Sequence, residues 1–190
     1  MNVNLFQKIK NYYHRAQSSK EWDKLIKSEN WLILDTETTG TDKTSQIIEI
    51  GIIDPYGHVL MNQRIRPIGI SRMPAQAKKV HGIGIPDLKD SPYFADIVQE
   101  FMAIISNKTI LCYNADFDYR LLMQTAEAND MRIGLNNFSC VMKRYAEYVG
   151  EWDDYRKSYK WQKLPGGTHG AIGDCNATLA VIVRMATLKR

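Results

Sequence analysis

Two acidic residues, one position apart, follow an apolar run near the start of the chain. Asp35 and Glu37 stand in the segment D-T-E-T-T-G, directly after the apolar residues 31–34. Such a run is typical of a strand buried on both faces, although a short run does not exclude a buried helix segment. In a strand, side chains two apart lie on one face, so we expect the two carboxylates side by side. A divalent metal ion would relieve their mutual repulsion, since it binds oxygen ligands of this type.

Further acidic residues lie near the starts of predicted helices. Asp118, and with it Asp116, lies in Y-N-A-D-F-D after the apolar strand T-I-L-C, and Asp174 lies in H-G-A-I-G-D at residues 169–174. Taken singly, helix capping explains Asp116 and Asp118. An acid near a helix N-terminus explains Asp174, and a surface or capping role explains His169. Only the combination of these residues points to a metal site.

The spacing of His169 and Asp174 constrains where the histidine lies. Residues five apart on one helix differ by about 140° in direction, so the two side chains cannot share a helix face. We therefore expect His169 in the loop before the helix, turned back toward it. The preceding residues 164–167, Leu-Pro-Gly-Gly, allow such a loop.

The elements that must position these residues form a mixed α/β pattern. Apolar runs predict strands at 31–34 and 109–114, and a hairpin of two strands around the turn at residues 54–57. Apolar residues at helical spacing predict helices over the segments 95–106, from about 117, 138–149 and the last twenty residues. Residues 150–168 are expected to form a charged, Gly-rich connection. This order of elements indicates a layered α/β domain.

The first thirty residues carry apolar residues at helical spacing that is interrupted around residues 17–19. They predict two short helices. Their apolar face is expected to dock on the domain, with binding of a protein partner as the less favoured alternative.

The composition indicates a single soluble domain. The chain has 190 residues, of which 44% are hydrophobic and 24% charged, and a net charge of +4 permits a polyanionic partner. Three widely spaced cysteines argue against a disulfide framework or a zinc site and favour a reducing compartment. No signal peptide or membrane span is recognisable, so we expect a cytoplasmic protein without membrane contact.

Taken together, the motifs resemble those of the DEDDh 3′-5′ exonucleases, the DnaQ-like family with an RNase H-like fold. D-T-E-T-T-G, Y-N-A-D-F-D and H-G-A-I-G-D-C-N-A-T occur in the family's order, and Q-I-I-E-I-G-I-I and A-K-K-V-H-G-I extend the likeness from about residue 31 to the C-terminus. The resemblance implies a mixed central sheet flanked by helices in residues 31–190, with residues 1–30 as an N-terminal helical extension. The chain departs from the family at Tyr113, where many members have His.

The resemblance also implies a catalytic centre with two Mg²⁺ or Mn²⁺ ions about 3.5–4 Å apart. Asp35 would bridge the ions, Glu37 and Asp174 would bind the ion that activates water, and Asp118 would lie near the ion that faces the leaving 3′ oxygen. His169 would be the general base, a role that suits a side chain with an unperturbed pKa of ~6.5.

Residues that would contact substrate are implied in the same way, each beside an ordinary structural explanation. Thr38 and Thr39 would border the terminal nucleotide but also suit a turn after a strand. His81 and Phe117 would line its sugar and base but also suit a loop cap and a core position. Basic and aromatic residues alternate over 143–163, where they would flank a single strand or form a solvated face.

The expected activity is hydrolysis of phosphodiester bonds at nucleic acid 3′ ends with release of 5′-mononucleotides. Single-stranded DNA is the favoured substrate. RNA stays open as the alternative, because the choice depends on contacts to the 2′-OH that no motif here encodes. A haloacid dehalogenase type of phosphatase ranks lower, since its D-x-D motif has a second Asp where this chain has Glu37. A module that binds nucleic acid without catalysis would lack one of the acidic metal ligands, and here every motif position has its expected acid or histidine.

Overall fold

The structure, a computed structural model, describes residues 3–135 and 137–187. Its α-helices are α1 (Val3–Ser28), α2 (Ala75–His81), α3 (Phe94–Ile105), α4 (Ala115–Ala128), α5 (Val141–Val149) and α6 (Ala171–Ala186), and a 3-10 turn spans Ile85–Leu88. Its strands are β1 (Trp31–Thr38), β2 (Ile47–Ile53), β3 (Val59–Arg64), β4 (Thr109–Cys112), β5 (Phe138–Cys140), β6 (Trp152–Asp153) and β7 (Ser158–Tyr159).

The first five strands form one mixed sheet in the order β3-β2-β1-β4-β5. The pairs β1–β2 and β2–β3 are antiparallel, whereas β1–β4 and β4–β5 are parallel. Helices cover both faces, so the predicted α/β architecture is confirmed. The hairpin predicted around residues 54–57 is also present, between β2 and β3.

Strand β1 lies at the centre of the sheet and is buried on both faces, as its apolar run predicts. Leu32 and Leu34 pack into a core with α3 and α4, whereas Trp31 and Ile33 pack into a second core with α1, α5 and α6. Because side chains alternate along a strand, Asp35 continues the series that faces α6. The acidic pair therefore begins where the core of that face ends.

The N-terminal segment is one continuous helix, so the prediction of two short helices was wrong. Ser lowers helix propensity by only a few tenths of a kcal/mol, and tertiary contacts decide such cases. Trp22 is 4% exposed in the core with α5 and α6. Arg15 donates to the carbonyls of Tyr148 and Val149 at the C-terminal end of α5. The expected docking of this segment on the domain is confirmed.

Two short elements also differ from the predictions. Residues 138–140 form β5, which pairs with β4, and the helix predicted over 138–149 begins only at Val141. The connection over 150–168 contains the small hairpin of β6 and β7. Strands this short are fixed by the neighbouring strand and carry no periodic signal of their own.

The three cysteines form no disulfide. Among the described helices, none combines the length and the apolar character that crossing a membrane requires.

Candidate active site

Three carboxylates converge where β1 meets the start of α6. Asp35, Glu37 and Asp174 each offer an oxygen atom, and these atoms lie within 4.8 Å of one another. The strand spacing predicted that the first two would lie side by side, and the fold adds the third from α6. Several carboxylate oxygens at this distance suit a divalent cation such as Mg²⁺ or Mn²⁺.

Strand β2 fixes the start of α6 through two residues. A Cβ atom at Gly51 would lie 2.8 Å from the Ala171 carbonyl carbon, so only glycine lets the helix approach the sheet this closely. Glu49 Oε2 accepts a hydrogen bond of 3.0 Å from the Ala171 backbone N–H. Glu49 is also the cross-strand partner of Glu37. It therefore caps the helix that carries Asp174.

The sequence analysis did not identify Glu49 as a functional residue. The available signal was one acid inside the apolar strand I-I-E-I-G-I-I, where a charge needs a partner. Its partners are the Arg64 guanidinium on β3, 3.6 Å away, and a backbone N–H from a helix more than a hundred residues away. The sequence pattern does not show the second of these.

His169 lies in the loop before α6, as its spacing predicts. Its side chain is exposed, and its backbone is in the left-handed region with φ of 58°. Asp174 Oδ1 accepts hydrogen bonds from the backbone N–H groups of Thr168 (2.6 Å) and His169 (3.1 Å). Gly173 leaves room for this fold-back, because a Cβ atom there would overlap the Thr168 hydroxyl. The loop is thus held against the helix beside the carboxylates.

Asp118 approaches from the opposite face of the sheet. It is 3% exposed on α4, and its Oδ1 accepts a hydrogen bond of 2.8 Å from the Thr36 hydroxyl. It does not belong to the three-carboxylate cluster of described residues, but its charge contributes to the raised pKa of Asp35. Asp116 is exposed and pairs with Lys143. The structure therefore separates the two acids of this motif.

The site concentrates negative charge in a poorly hydrated place. Burial, followed by the carboxylates of Asp174 and Glu49, raises the pKa of Glu37 to about 8. Burial raises the pKa of Asp118 to about 7, against the lowering effect of its hydrogen bonds. Burial, with Asp118 next, raises the pKa of Asp35 well above its usual range. Without a cation, Glu37 is therefore mostly protonated at pH 7 and Asp118 is about half protonated.

A cleft of about 380 Å³, here called the β1 cleft, opens beside Glu37 between the end of β1, α2 and the first turn of α4. Thr38, His81 and Phe117 line it, and their contact with a terminal nucleotide stays a prediction. Thr39 is not among the lining residues, and its hydroxyl accepts a hydrogen bond from the Gln46 backbone N–H. Thr39 instead lines a neighbouring cavity together with Asp42 and Pro74, and its contact with a terminal nucleotide stays a prediction.

His81 connects α2 to β1 through both ring nitrogens. Its Nδ1 accepts from the Ile83 backbone N–H at 3.1 Å, and its Nε2 lies 3.2 Å from the Thr38 carbonyl oxygen. A carbonyl only accepts, so Nε2 carries the proton and the ring is neutral. Burial lowers the pKa of His81 in agreement with this state. The ring thus forms a fixed wall of the β1 cleft.

Tyr113 anchors the chain that leads to His169. Its hydroxyl donates a hydrogen bond of 2.8 Å to the Gln162 carbonyl, seven residues before the histidine. The basic and aromatic residues of 143–163 spread over α5 and the β6–β7 hairpin, where Tyr155 is 94% exposed.

Comparison with known proteins agrees with the fold and with the family that the sequence resembles. Residues 32–182 match the RNase T family model, described as Exonuclease. The uncharacterized exonuclease CP81 of Escherichia phage 186 is 34% identical over 188 residues, which cover 90% of this chain and 93% of the phage protein. The DNA polymerase III subunit epsilon of Rickettsia felis is 40% identical over 166 residues, which cover 81% of this chain and 72% of that subunit.

Among solved structures, Exonuclease X in complex with 5′ overhanging duplex DNA aligns with a TM-score of 0.55 and 24% identity. The alignment covers 84% of this chain and 94% of that chain. The fold is therefore the RNase H-like fold of exonucleases. The chain belongs to the DnaQ-like exonuclease family, and α1 lies outside the residues 32–182 that the family model matches.

Substitutions at Glu49 test whether it positions α6. We expect Glu49→Ala to lower the unfolding free energy by about 1 kcal/mol, because the helix loses its cap. It should also lower kcat on the order of 10²-fold through displacement of Asp174 and His169. Glu49→Gln keeps an acceptor oxygen and should retain most of the unfolding free energy and most of kcat. Equal kcat losses in the two variants, measured beside thermal melts, would show that the charge and not the hydrogen bond matters.

The raised pKa values make the stability of the metal-free protein depend on pH. A carboxyl whose pKa is raised binds more protons in the folded than in the unfolded state, so stability falls as pH rises between the two values. For Glu37 this window runs from about 4.5 to about 8. In EDTA we expect the Tm to fall from pH 5 to pH 8, by roughly 2–4 °C for each kcal/mol lost.

Saturating Mn²⁺ should raise the Tm, and increasingly so toward pH 8, because the ion replaces the protons. The Glu37→Gln variant is the matched control, and its Tm in EDTA should depend less on pH. A wild-type Tm that stays constant or rises over this range in EDTA, together with an unchanged Glu37→Gln profile, contradicts the assigned protonation.

Proposed function

We propose that this protein is a metal-dependent 3′-5′ exonuclease that removes 5′-mononucleotides from nucleic acid 3′ ends, with single-stranded DNA as the favoured substrate. The observation that carries the proposal is the convergence of Asp35, Glu37 and Asp174 beside the β1 cleft, with Asp118 adjacent. A cleft of this volume, closed at its sides by Phe117 and His81, suits one unpaired nucleotide.

The acidic residues fit divalent cations because burial first, and the neighbouring carboxylates second, raise the pKa values of Asp35 and Glu37, so that a bound cation would replace protons there. Mg²⁺ or Mn²⁺, as two ions held by Asp35, Glu37, Asp118 and Asp174, would supply Lewis-acid activation of water and neutralise phosphate charge. Asp118 would be oriented for this by the hydrogen bond from Thr36.

His169 is proposed as the general base that accepts the proton of the attacking water. Its exposed ring stands in a loop whose backbone is tied to Asp174, so the base and a metal ligand move together. Thr38, Phe117 and the fixed ring of His81 would position the terminal nucleotide in the β1 cleft. The hydroxyl of Thr39 would support this wall from behind through Gln46.

The other readings of the motifs have less support. A phosphatase with Asp35 as nucleophile would have a second Asp where this chain has Glu37, and it does not account for the His169 loop that is tied to Asp174. A binding module without catalysis does not require a loop that holds His169 beside three carboxylates. RNA remains the alternative substrate, and the duplex DNA in the structure of Exonuclease X makes recessed 3′ ends a further candidate.

Residues 31–190 are proposed as the exonuclease domain, with α1 as an extension. The inner side of α1 is occupied by its contacts with α5 and α6, whereas Tyr12 and Tyr13 are 68% and 66% exposed. These two residues are where a protein partner would contact the helix. The three free cysteines agree with a cytoplasmic location.

The proposal is tested with single-stranded DNA and RNA labelled at either end, in Mg²⁺, Mn²⁺ or Ca²⁺. We expect a 3′ label to be released at once as a mononucleotide and a 5′ label to remain on progressively shorter strands. Ca²⁺ should support little turnover, since its looser coordination misplaces the water. Immediate release of the 5′ label as a mononucleotide contradicts the polarity.

Two variants separate the assigned roles in the same assay. Asp118→Asn should abolish turnover in a protein that still melts normally, because the amide cannot replace a charged ligand. His169→Ala should lower kcat by about 10²–10⁴-fold while binding of a single-stranded 3′ end in the presence of metal persists. Retention of most of the wild-type kcat by either variant contradicts that residue's role.

A further inference from the structure

A second cleft lies beyond the β1 cleft, on the side away from the carboxylates. This outer cleft has a volume of about 680 Å³ and lies between the loop after β3 and the 3-10 turn. Arg66, Lys89 and Tyr93 line it, together with apolar residues that include Ile68 and Ile85. No residue of the catalytic constellation contributes to it.

A groove joins the two clefts. It shares Asp42 and Pro74 with the β1 cleft, and Gly69 and Ser71 with the outer cleft. Arg72 also lines this groove. The order along the surface is therefore carboxylates, β1 cleft, groove and outer cleft.

The walls of the outer cleft are fixed by hydrogen bonds to the main chain. The side chain of Gln46, 5% exposed, donates to the Ile68 carbonyl at 2.7 Å and accepts from the Ile68 N–H at 2.9 Å. The Arg66 backbone N–H donates to the Pro92 carbonyl at 2.8 Å. The cleft is thus formed before any ligand binds.

The charge of this surface favours an anion. Within residues 3–135 and 137–187, neither Arg66 nor Arg72 has a carboxylate within 4.0 Å. Lys89 has only a contact of 3.8 Å with the exposed Asp90. Asp42 in the groove is engaged by Thr44 and Ser45.

Aromatic and apolar surface accompanies these cations. The Arg66 guanidinium lies over the Tyr93 ring, 5.4 Å from its centroid, and Tyr93 and Ile68 are 38% and 39% exposed. Cations beside an aromatic face are the combination that binds single-stranded nucleic acid through phosphates and stacked bases.

The strand that is cut cannot occupy the outer cleft. If its last nucleotide fills the β1 cleft and its scissile phosphate lies at the carboxylates, the rest of that strand leaves on the carboxylate side. A nucleic acid segment that continues past the 3′ end must then belong to the opposite strand of a duplex.

We propose that the outer cleft and its groove bind the unpaired 5′ overhang opposite a recessed 3′ end, through Arg66, Arg72, Lys89 and Tyr93. This inference rests on the proposed 3′-5′ polarity and adds a preference for one substrate structure. The overhang would hold a frayed duplex end in place while the terminal nucleotide occupies the β1 cleft.

The test uses one cut strand in three forms: single-stranded, in a blunt duplex and in a duplex with a 5′ overhang of about ten nucleotides. Arg72→Gln/Lys89→Gln removes two exposed cations, and Lys20→Gln/Lys24→Gln on α1 is the control with the same net charge. Affinity is measured by fluorescence anisotropy in Ca²⁺, and KM and kcat are measured in Mg²⁺.

For the wild type and the α1 control we expect at least about fivefold tighter binding of the overhang duplex than of the blunt duplex. In the cleft variant, Arg72→Gln/Lys89→Gln, this preference for the overhang duplex should fall below about twofold. The log–log slope of overhang affinity against salt concentration should weaken by roughly 1.4, since each phosphate contact on a single strand contributes about 0.7. The single-strand affinity and kcat of this variant should stay unchanged.

Tyr93→Ala should lower the same ratio without changing the salt slope, because stacking is not ionic. A wild type without overhang preference, or a cleft variant that keeps it or loses affinity equally for all three substrates, overturns the proposal. An overhang preference that depends on these residues but occurs without any 3′ cleavage would support overhang binding by the outer cleft and refute the exonuclease activity instead.

Discussion

The repulsion among carboxylates at the end of β1 is the constraint on which the rest of the structure depends. Asp35, Glu37 and Asp174 approach within 4.8 Å of one another, with Asp118 buried beside them. Carboxylates this close to one another are not stable when all of them are charged. Some must hold protons, or cations must balance their charge. The fold must therefore force the groups together by interactions that lie outside the cluster.

Those interactions come from both faces of the sheet. On one face, the absence of a side chain at Gly51 and the cap from Glu49 hold α6, and α6 brings Asp174 and the His169 loop. On the other face, α4 is packed in the core, and Thr36 fixes Asp118. Strand β1 presents alternate side chains to both sides, so one strand joins the two groups of acids.

Much of the site could be predicted because it depends on local geometry. The period of a strand placed Asp35 beside Glu37, and the angle between helix positions placed His169 in a loop. Glu49 could not be predicted, because its role depends on which helix packs on β2. The position of Thr39 was open for a similar reason, since a turn residue can face either a cleft or the core.

In the fold as well, features set by local sequence could be predicted and features set by tertiary contacts could not. Long periodic segments such as α3 and α6 were predicted within a few residues. The strand at Phe138–Cys140 and the continuity of α1 were not, because pairing with β4 and contacts with α5 decide them. The outer cleft also escaped the sequence analysis, since Arg66, Lys89 and Tyr93 are brought together only by the loop that Gln46 anchors.

The central claim is that the buried carboxylates hold protons until a divalent cation replaces them. Calorimetric titration with Mn²⁺ in buffers of different ionisation enthalpy measures both metal binding and proton release. We expect saturable binding of at least one ion with net proton release at pH 7, less release near pH 9, and less release from Glu37→Gln than from the wild type at pH 7. Absence of saturable binding, or binding at pH 7 without proton release, would contradict the account.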